Sequence, residues 1–160
     1  MAFGKYAKLY NRPRKLYDKP RIEEENKLVG KYGLKNKKEI WKAESEISKI
    51  RKQAKKLITA DMEKQDKFIN KLKKFGFKVG KISDVLGLNK EDWLKRRLQT
   101  IVSEKKLSTT AKGARQLIVH KHVAVNGKIV NIPSYPISID EENEINIVLK
   151  KAGKIKESKG

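Results

Sequence analysis

The chain has 160 residues, of which 40 are Lys or Arg and 19 are Asp or Glu, giving a formal charge of +21 near neutral pH. That length suits one ordinary domain with an extension, or two small domains, and a charge so one-sided repels itself unless an acidic partner compensates it. There is no cysteine, so disulfides and thiolate zinc sites are excluded, and no apolar run approaches the ~20 residues that span a bilayer.

The implied partner is a polyanion, with nucleic acid first, because each phosphate that Lys or Arg neutralises releases condensed counterions. Residues 1–20 form a basic extension in which Lys5, Lys8, Arg12, Arg14, Lys15 and Lys19 oppose only Asp18. Tyr6, Tyr10 and Tyr17 are interleaved, and Pro13 and Pro20 interrupt any long helix. The plain reading is a disordered basic tail; the functional one is an arm that orders on RNA and offers rings for stacking. The extension lacks the apolar stretch of a signal peptide, so a soluble, cytoplasmic protein is expected.

Residues 21–92 read as a helical domain. Glu23, Glu24 and Glu25 follow Pro20 where a helix start favours acidic groups, and Gly33 suits the end of that helix. Asn36 and Glu39 resemble a capping box opening a longer helix to about Ile58. Ile40, Ala43, Ile47, Ile50, Ala54 and Leu57 line one face of it. Lys38, Lys42, Lys49, Lys52 and Lys56 line another, which is either a solvated surface or a phosphate-contacting one. Asp61 is placed to cap a third helix carrying Met62, Ile69, Leu72 and Phe75 and closed by Gly76. A short turn of helix is expected around Val85 and Leu86, then a new start at Asn89 with Asp92 three residues on.

Residues 93–149 carry a different pattern. "EDWLKRRLQTIVSEKKL" predicts one helix with Leu94, Leu98 and Ile101 on one face and Arg96 and Arg97 beside it. "STTAKGARQLIVHKH" predicts a second, capped by Thr110, with Ala114, Leu117 and Ile118 inward and Lys112 and Arg115 outward. Asn126-Gly127 within "VAVNGKIV" is the strongest short-range hairpin signal, because both central positions of a type I′ turn need positive φ. "NIPSYPISI" and "INIV" read as two more strands around an acidic loop from Asp140 to Glu144, and residues 150–160 form a basic tail. The fold class is therefore α+β.

Enzymatic readings find little support. His120 and His122 point about 200° apart on a helix and share a face on a strand. With no other His and no Cys in the chain, a zinc would need a carboxylate ligand. "AKGARQ" lacks the spacing of a phosphate loop, and no Gly-x-Ser-x-Gly elbow occurs. No catalytic residue, metal or cofactor is expected. The binding reading is better supported, since Lys90, Lys95, Arg96, Arg97, Lys105, Lys106, Lys112, Arg115, Lys121 and Lys128 outnumber Glu91, Asp92 and Glu104 on the two helices and the hairpin. Arginines at the rim of an apolar face can fork onto phosphate oxygens.

"RRLQTIVSEKKLSTTAKGARQLIVHKHVAVNGKIVNIPSYPISI" closely resembles the RNA-binding module of the S-four family, that of small-subunit ribosomal protein four. The pattern falls on Arg97-Leu98, Thr110, Ala114 to Ile118 and Val123 to Ser134. The module also occurs in pseudouridine synthases, tyrosyl-tRNA synthetases and a heat-shock RNA-binding protein. "IEEENKLVGKYGLKNKKEIWKAESEISKIRKQAKKL" and "DVLGLNKEDWLKRRLQTIV" are similar to the archaeal and eukaryotic branch of the ribosomal protein, so the resemblance runs over residues 20–148.

The resemblance implies two helices packed on a small, mostly antiparallel sheet, behind an N-terminal helical region. It implies a primary binder of small-subunit ribosomal RNA that nucleates assembly of the body at a multi-helix junction of the 5′ domain. It further implies a neighbour, the fifth small-subunit protein, beside the channel through which messenger RNA enters, and a part in translational accuracy. The residues expected to face RNA are Lys95, Arg96, Arg97, Lys106, Thr110, Lys112, Arg115, Gln116, His120, Lys121, His122, Asn126 and Lys128, the histidines as neutral hydrogen bonders or stacking rings. Where many members have Arg directly after the Ser or Thr, this chain has Ala111 and then Lys112, which exchanges a forked contact for a point charge. Replacing Arg97 and Arg115 is expected to weaken RNA binding and its salt dependence.

Overall fold

The structure is a computed structural model that describes residues 10–148; the predictions for Tyr6 and for the basic tail fall outside the described residues. Helix α1 (Lys19–Tyr32) takes Pro20 in its first turn, where a missing N–H costs nothing. It ends at Gly33, whose φ of 58° is left-handed. Glu23, Glu24 and Glu25 lie a turn further along than expected, and Glu25 is buried. Glu25 accepts from the Trp41 ring N–H at 2.9 Å and from Arg21 at 3.0 Å, so it fastens α1 to the next helix rather than serving the helix dipole.

Helix α2 (Lys38–Leu57) buries Ile40, Ala43, Ile47 and Ala54, the stripe read from its periodicity. Asn36 Oδ1 accepts from the Lys38 N–H at 2.6 Å and Glu39 Oε1 from the Lys35 N–H at 3.2 Å, a variant of the expected start. Helix α3 (Met62–Lys74) buries Phe68, Ile69 and Leu72. Met62, expected in that stripe, is 77% exposed because it stands at the helix start, ahead of the packed turns. Asp61 makes no side-chain cap there and pairs instead with Lys64 at 2.9 Å. Short helices α4 (Ile82–Leu86) and α5 (Lys90–Lys95) follow, the latter opened by the Asn89 N–H donating to Asp92 at 2.9 Å.

The predicted single helix after Lys90 is two. It breaks at Arg96 and Arg97 and resumes as α6 (Leu98–Glu104). At the break Arg97 is extended and bridges Pro136, the Leu98 N–H donates to the Tyr135 carbonyl at 2.8 Å, and the Ile137 N–H donates to the Arg96 carbonyl at 2.9 Å. The backbone thus exchanges one helical turn for bonds to a segment far along the chain, which no local propensity reports. Helix α7 (Ala111–Val119) is capped by Thr110, whose hydroxyl accepts from the Gly113 N–H at 3.0 Å.

Strands β1 (Val123–Val125), β2 (Lys128–Ile129) and β3 (Ile145–Ile147) form a wholly antiparallel sheet in the order β2-β1-β3. Val125 pairs with Lys128 across the turn, and Asn126 and Gly127 both have positive φ, as the type I′ reading requires. The run "NIPSYPISI" supplies only the bridge at Pro136 instead of a strand, since its backbone bonds go to the break before α6. Asp140 to Glu144 is not simply a loop: it holds helix α8 (Ile139–Glu142), capped by Ser138.

Three apolar clusters result. One joins α2, α3 and α4 through Ile47, Ala54, Phe68, Leu72 and Val85. A second joins α1, α2 and α5 through Leu28, Tyr32, Ile40 and Leu94. The third packs α6 and α7 on the sheet through Leu98, Ile101, Ala114, Ile118, Val123 and Ile137. Each fully buried Leu or Ile contributes about 1.5–3 kcal/mol. The fold is α+β, a helical region followed by two helices on a small antiparallel sheet.

Candidate nucleic-acid interface

The cations expected on one surface divide into two groups. Arg97 is 4% exposed and paired with Glu39. Arg96 is drawn the other way, onto Glu142 of α8 at 2.8 Å and the Ile137 carbonyl at 3.1 Å. Lys95 remains exposed but stands 3.5 Å from Asp92. Arg96 and Arg97 therefore do not join the expected surface, because the break in the helix turns one toward the acidic α8 and the other inward against α2. Instead of forking onto phosphate, Arg97 gives one hydrogen bond, from Nη2, to the Glu39 carboxylate of the chain itself.

Arg115 occupies an intermediate place. Its guanidinium donates to both oxygens of Glu39, at 2.9 and 3.3 Å, and to Gln99 Oε1 at 3.2 Å, yet it stays partly exposed. Gln99 is 1% exposed and sends its amide to the carbonyls of Tyr32, Gly33 and Ala111 at 3.1, 2.9 and 2.9 Å. This network ties the end of α1 and the start of α2 to the first residue of α7. Burial alone would raise the Glu39 carboxyl, but the hydrogen bonds and charges of Arg115 and Arg97 outweigh it and hold the carboxyl below its ordinary range. Neither Glu39 nor Gln99 was legible as a site residue. The only signal was a Gln inside the apolar pattern of "LQTIV".

The second group remains available. Lys106, Lys112, Lys121 and Lys128 are exposed, and none has an ion-pair partner among the described residues. Lys112, Gln116 and His120 recur every fourth residue along α7, which places them on one stripe. Ser108, Thr109, Gly113, Gln116 and Leu117 line a groove along that helix, and His120 and His122 close its far end with rings 6.5 Å apart. Thr110 lies beside the groove, its hydroxyl committed to the cap. Asn126 and Lys128 are exposed at the hairpin. Among the described residues no group of three His, Cys, Asp or Glu is arranged to hold a metal.

The basic arm is partly fixed. Tyr10 tilts against Trp41 with ring centroids 6.0 Å apart, so that ring is taken. Arg21 donates to the Lys15 and Leu16 carbonyls at 2.7 and 3.2 Å, and Tyr17 is left 94% exposed. On α2, Lys42, Lys52 and Lys56 are exposed, but Glu46 takes Lys49 at 2.7 Å. That face is mixed rather than purely basic.

Residues 96–143 match the S4 domain family model. The chain is 45% identical over 146 residues to the small ribosomal subunit protein uS4 of Methanosphaera stadtmanae, covering 82% of this chain and 80% of the relative. It is 46% identical over 151 residues to the protein of that name from Saccharolobus islandicus, covering 89% and 82%. With the uS4 of Methanococcus aeolicus it shares 44% identity over 147 residues, covering 88% and 83%.

Proposed function

The chain belongs to the uS4 family of small ribosomal subunit proteins, of archaeal type, and on that footing we propose that it is a primary binder of small-subunit ribosomal RNA. It is a structural ribosomal protein rather than an enzyme. The observation that carries this reading is the extent of the similarity, which covers the helical region as well as residues 96–143. A modifying enzyme that merely borrowed the domain would match over those residues alone.

In this reading the groove of α7 and the hairpin face the RNA. Lys106, Lys112, Lys121 and Lys128 meet phosphates, Gln116, Asn126 and the two histidines add hydrogen bonds or stacking, and Arg115 reaches the same surface from its seat on Glu39. Thr110 flanks it, whereas Lys95 lies in the cleft between α2 and α5. The helical region of residues 21–92 holds this face in place through Gln99 and Glu39, while the extension of residues 1–20 supplies further cations. The bound RNA is a junction in the 5′ domain, and binding there nucleates assembly of the body. The fifth small-subunit protein is the expected neighbour, near the channel through which messenger RNA enters, and that contact supports accurate decoding. The protein is expected on cytoplasmic ribosomes.

Binding to a 5′-domain transcript with transfer RNA as competitor tests the reading. Selective binding is expected, together with co-migration with small subunits that survives moderate salt. Equal affinity for both RNAs would contradict it.

A further inference from the structure

Helices α1, α3, α6 and α7 all close in the same way. One or two residues past the helical end a residue turns left-handed, and the next donates its N–H to a carbonyl five residues back: Leu34 to Val29, Phe77 to Leu72, Leu107 to Val102 and His122 to Leu117, at 3.1, 3.1, 3.2 and 2.9 Å. In α1 and α3 the left-handed residue is Gly33 or Gly76, with φ of 58° and 79°. Glycine is the usual occupant, because a Cβ makes this conformation costly. In α6 and α7 the same position is Lys106 or Lys121, with φ of 56° and 63°.

The closing backbone bonds would form equally well with glycine there, and no side-chain ion pair among the described residues offsets the added cost of a Cβ. Both lysines are exposed, and neither has an ion-pair partner among the described residues. A cation near a helix end gains from the macrodipole, but a right-handed residue of the last turn obtains that gain without strain. The two positions also bracket the groove along α7. Lys106 stands two residues before Ser108 at one end, and Lys121 lies between His120 and His122 at the other. With nine residues of α7 between them, spanning ~13 Å at 1.5 Å per residue, they address different phosphates.

We infer that Lys106 and Lys121 grip RNA phosphates at the two ends of the α7 groove, and that lysine is kept in a left-handed position there for binding at the expense of fold stability. This rests on the ribosomal RNA reading above. Binding and stability then respond with opposite sign to one substitution, which a merely structural lysine would not produce.

The test replaces each with glycine and measures thermal unfolding beside binding to the 5′-domain transcript over a range of salt. Lys106→Gly and Lys121→Gly are each expected to raise Tm by about 2–4 °C. Each is expected to weaken binding and flatten the slope of log K against log salt by about 0.7–0.9, whereas Lys106→Arg and Lys121→Arg keep the wild-type slope. Glycine variants that bind with an unchanged slope, or that melt lower than wild type, would overturn this inference alone. A wild-type chain that does not prefer the transcript over transfer RNA would overturn the ribosomal reading and this inference with it.

Discussion

Glu39 and Arg115 meet across 76 residues of chain, the guanidinium fork donating to both carboxylate oxygens at 2.9 and 3.3 Å. Arg97, 4% exposed, takes the same carboxylate from the other side. One acidic residue of the helical region thus seats two arginines of the RNA-binding domain, so the two parts of the chain share a charge balance.

Glu39→Ala leaves a buried guanidinium without its partner, and such a loss costs about 3–5 kcal/mol. Equilibrium unfolding in urea should show a loss of that size with little change in m. A loss below ~1 kcal/mol would mean that water replaces the carboxylate, and that the two parts are held by apolar contacts and the Gln99 hydrogen bonds.

The same pair fixes a pH dependence. The Glu39 carboxyl lies below its ordinary range in the folded chain, so the folded state binds fewer protons there than the unfolded state. The stabilisation is complete above the ordinary glutamate pKa of ~4.3 and is lost as pH falls through the depressed value. In Glu39→Gln this part of the acid limb should vanish, which thermal melts between about pH 5 and 3 would read. An acid limb identical to wild type would assign the effect to other carboxylates, Glu91 and Glu141 first, both also held low.

Buried and exposed cations should separate in salt titrations. Lys112→Gln removes an exposed charge on the groove stripe and should flatten the salt slope by about 0.7–0.9 with little effect on stability. Arg97→Gln should do the reverse, lowering Tm and leaving the slope close to wild type. A flattened slope for Arg97→Gln would show that Glu39 releases it to phosphate.

Two glycines with positive φ should differ in their tolerance of alanine. At Gly127, with φ of 72°, a Cβ would meet nothing within 4 Å, so Gly127→Ala should cost only the left-handed penalty of about 1 kcal/mol. At Gly33 the Cβ would also meet the Ala111 carbonyl carbon and Cβ at 2.9 Å. Gly33→Ala should therefore cost well over twice as much, and it should weaken RNA binding, because the start of α7 must move. Equal costs at the two sites, measured by urea unfolding, would contradict the close packing of α1 on α7.

What the sequence made legible was local. Gly33, Asn126-Gly127 and the stripe from Ile40 to Ala54 announce a helix end, a hairpin and a buried face, because each rests on backbone sterics or periodicity within a few residues. The hidden features depend on distant partners. The break at Arg96 and Arg97 exists because residues 135–137 offer backbone bonds there, and the burial of Arg97 exists because α2 brings Glu39 to it. A cluster of arginines looks the same in the sequence whether it faces phosphate or a carboxylate of its own chain. Charge counting therefore could not separate Lys106, Lys112, Lys121 and Lys128, which are exposed, from Arg96 and Arg97, which pair with carboxylates of the chain.

Because the chain has no cysteine, a single introduced thiol can carry a tethered iron chelate that cuts nearby RNA. The most direct measurement places it at Gln116→Cys in the α7 groove and, separately, at Asp140→Cys on α8, in reconstituted small subunits. Strong cleavage of the 5′ domain from position 116, with weak or no cleavage from position 140, is the predicted result. Strong cleavage from position 140 and none from position 116 would contradict the account, since it would put the acidic side of the molecule against the RNA.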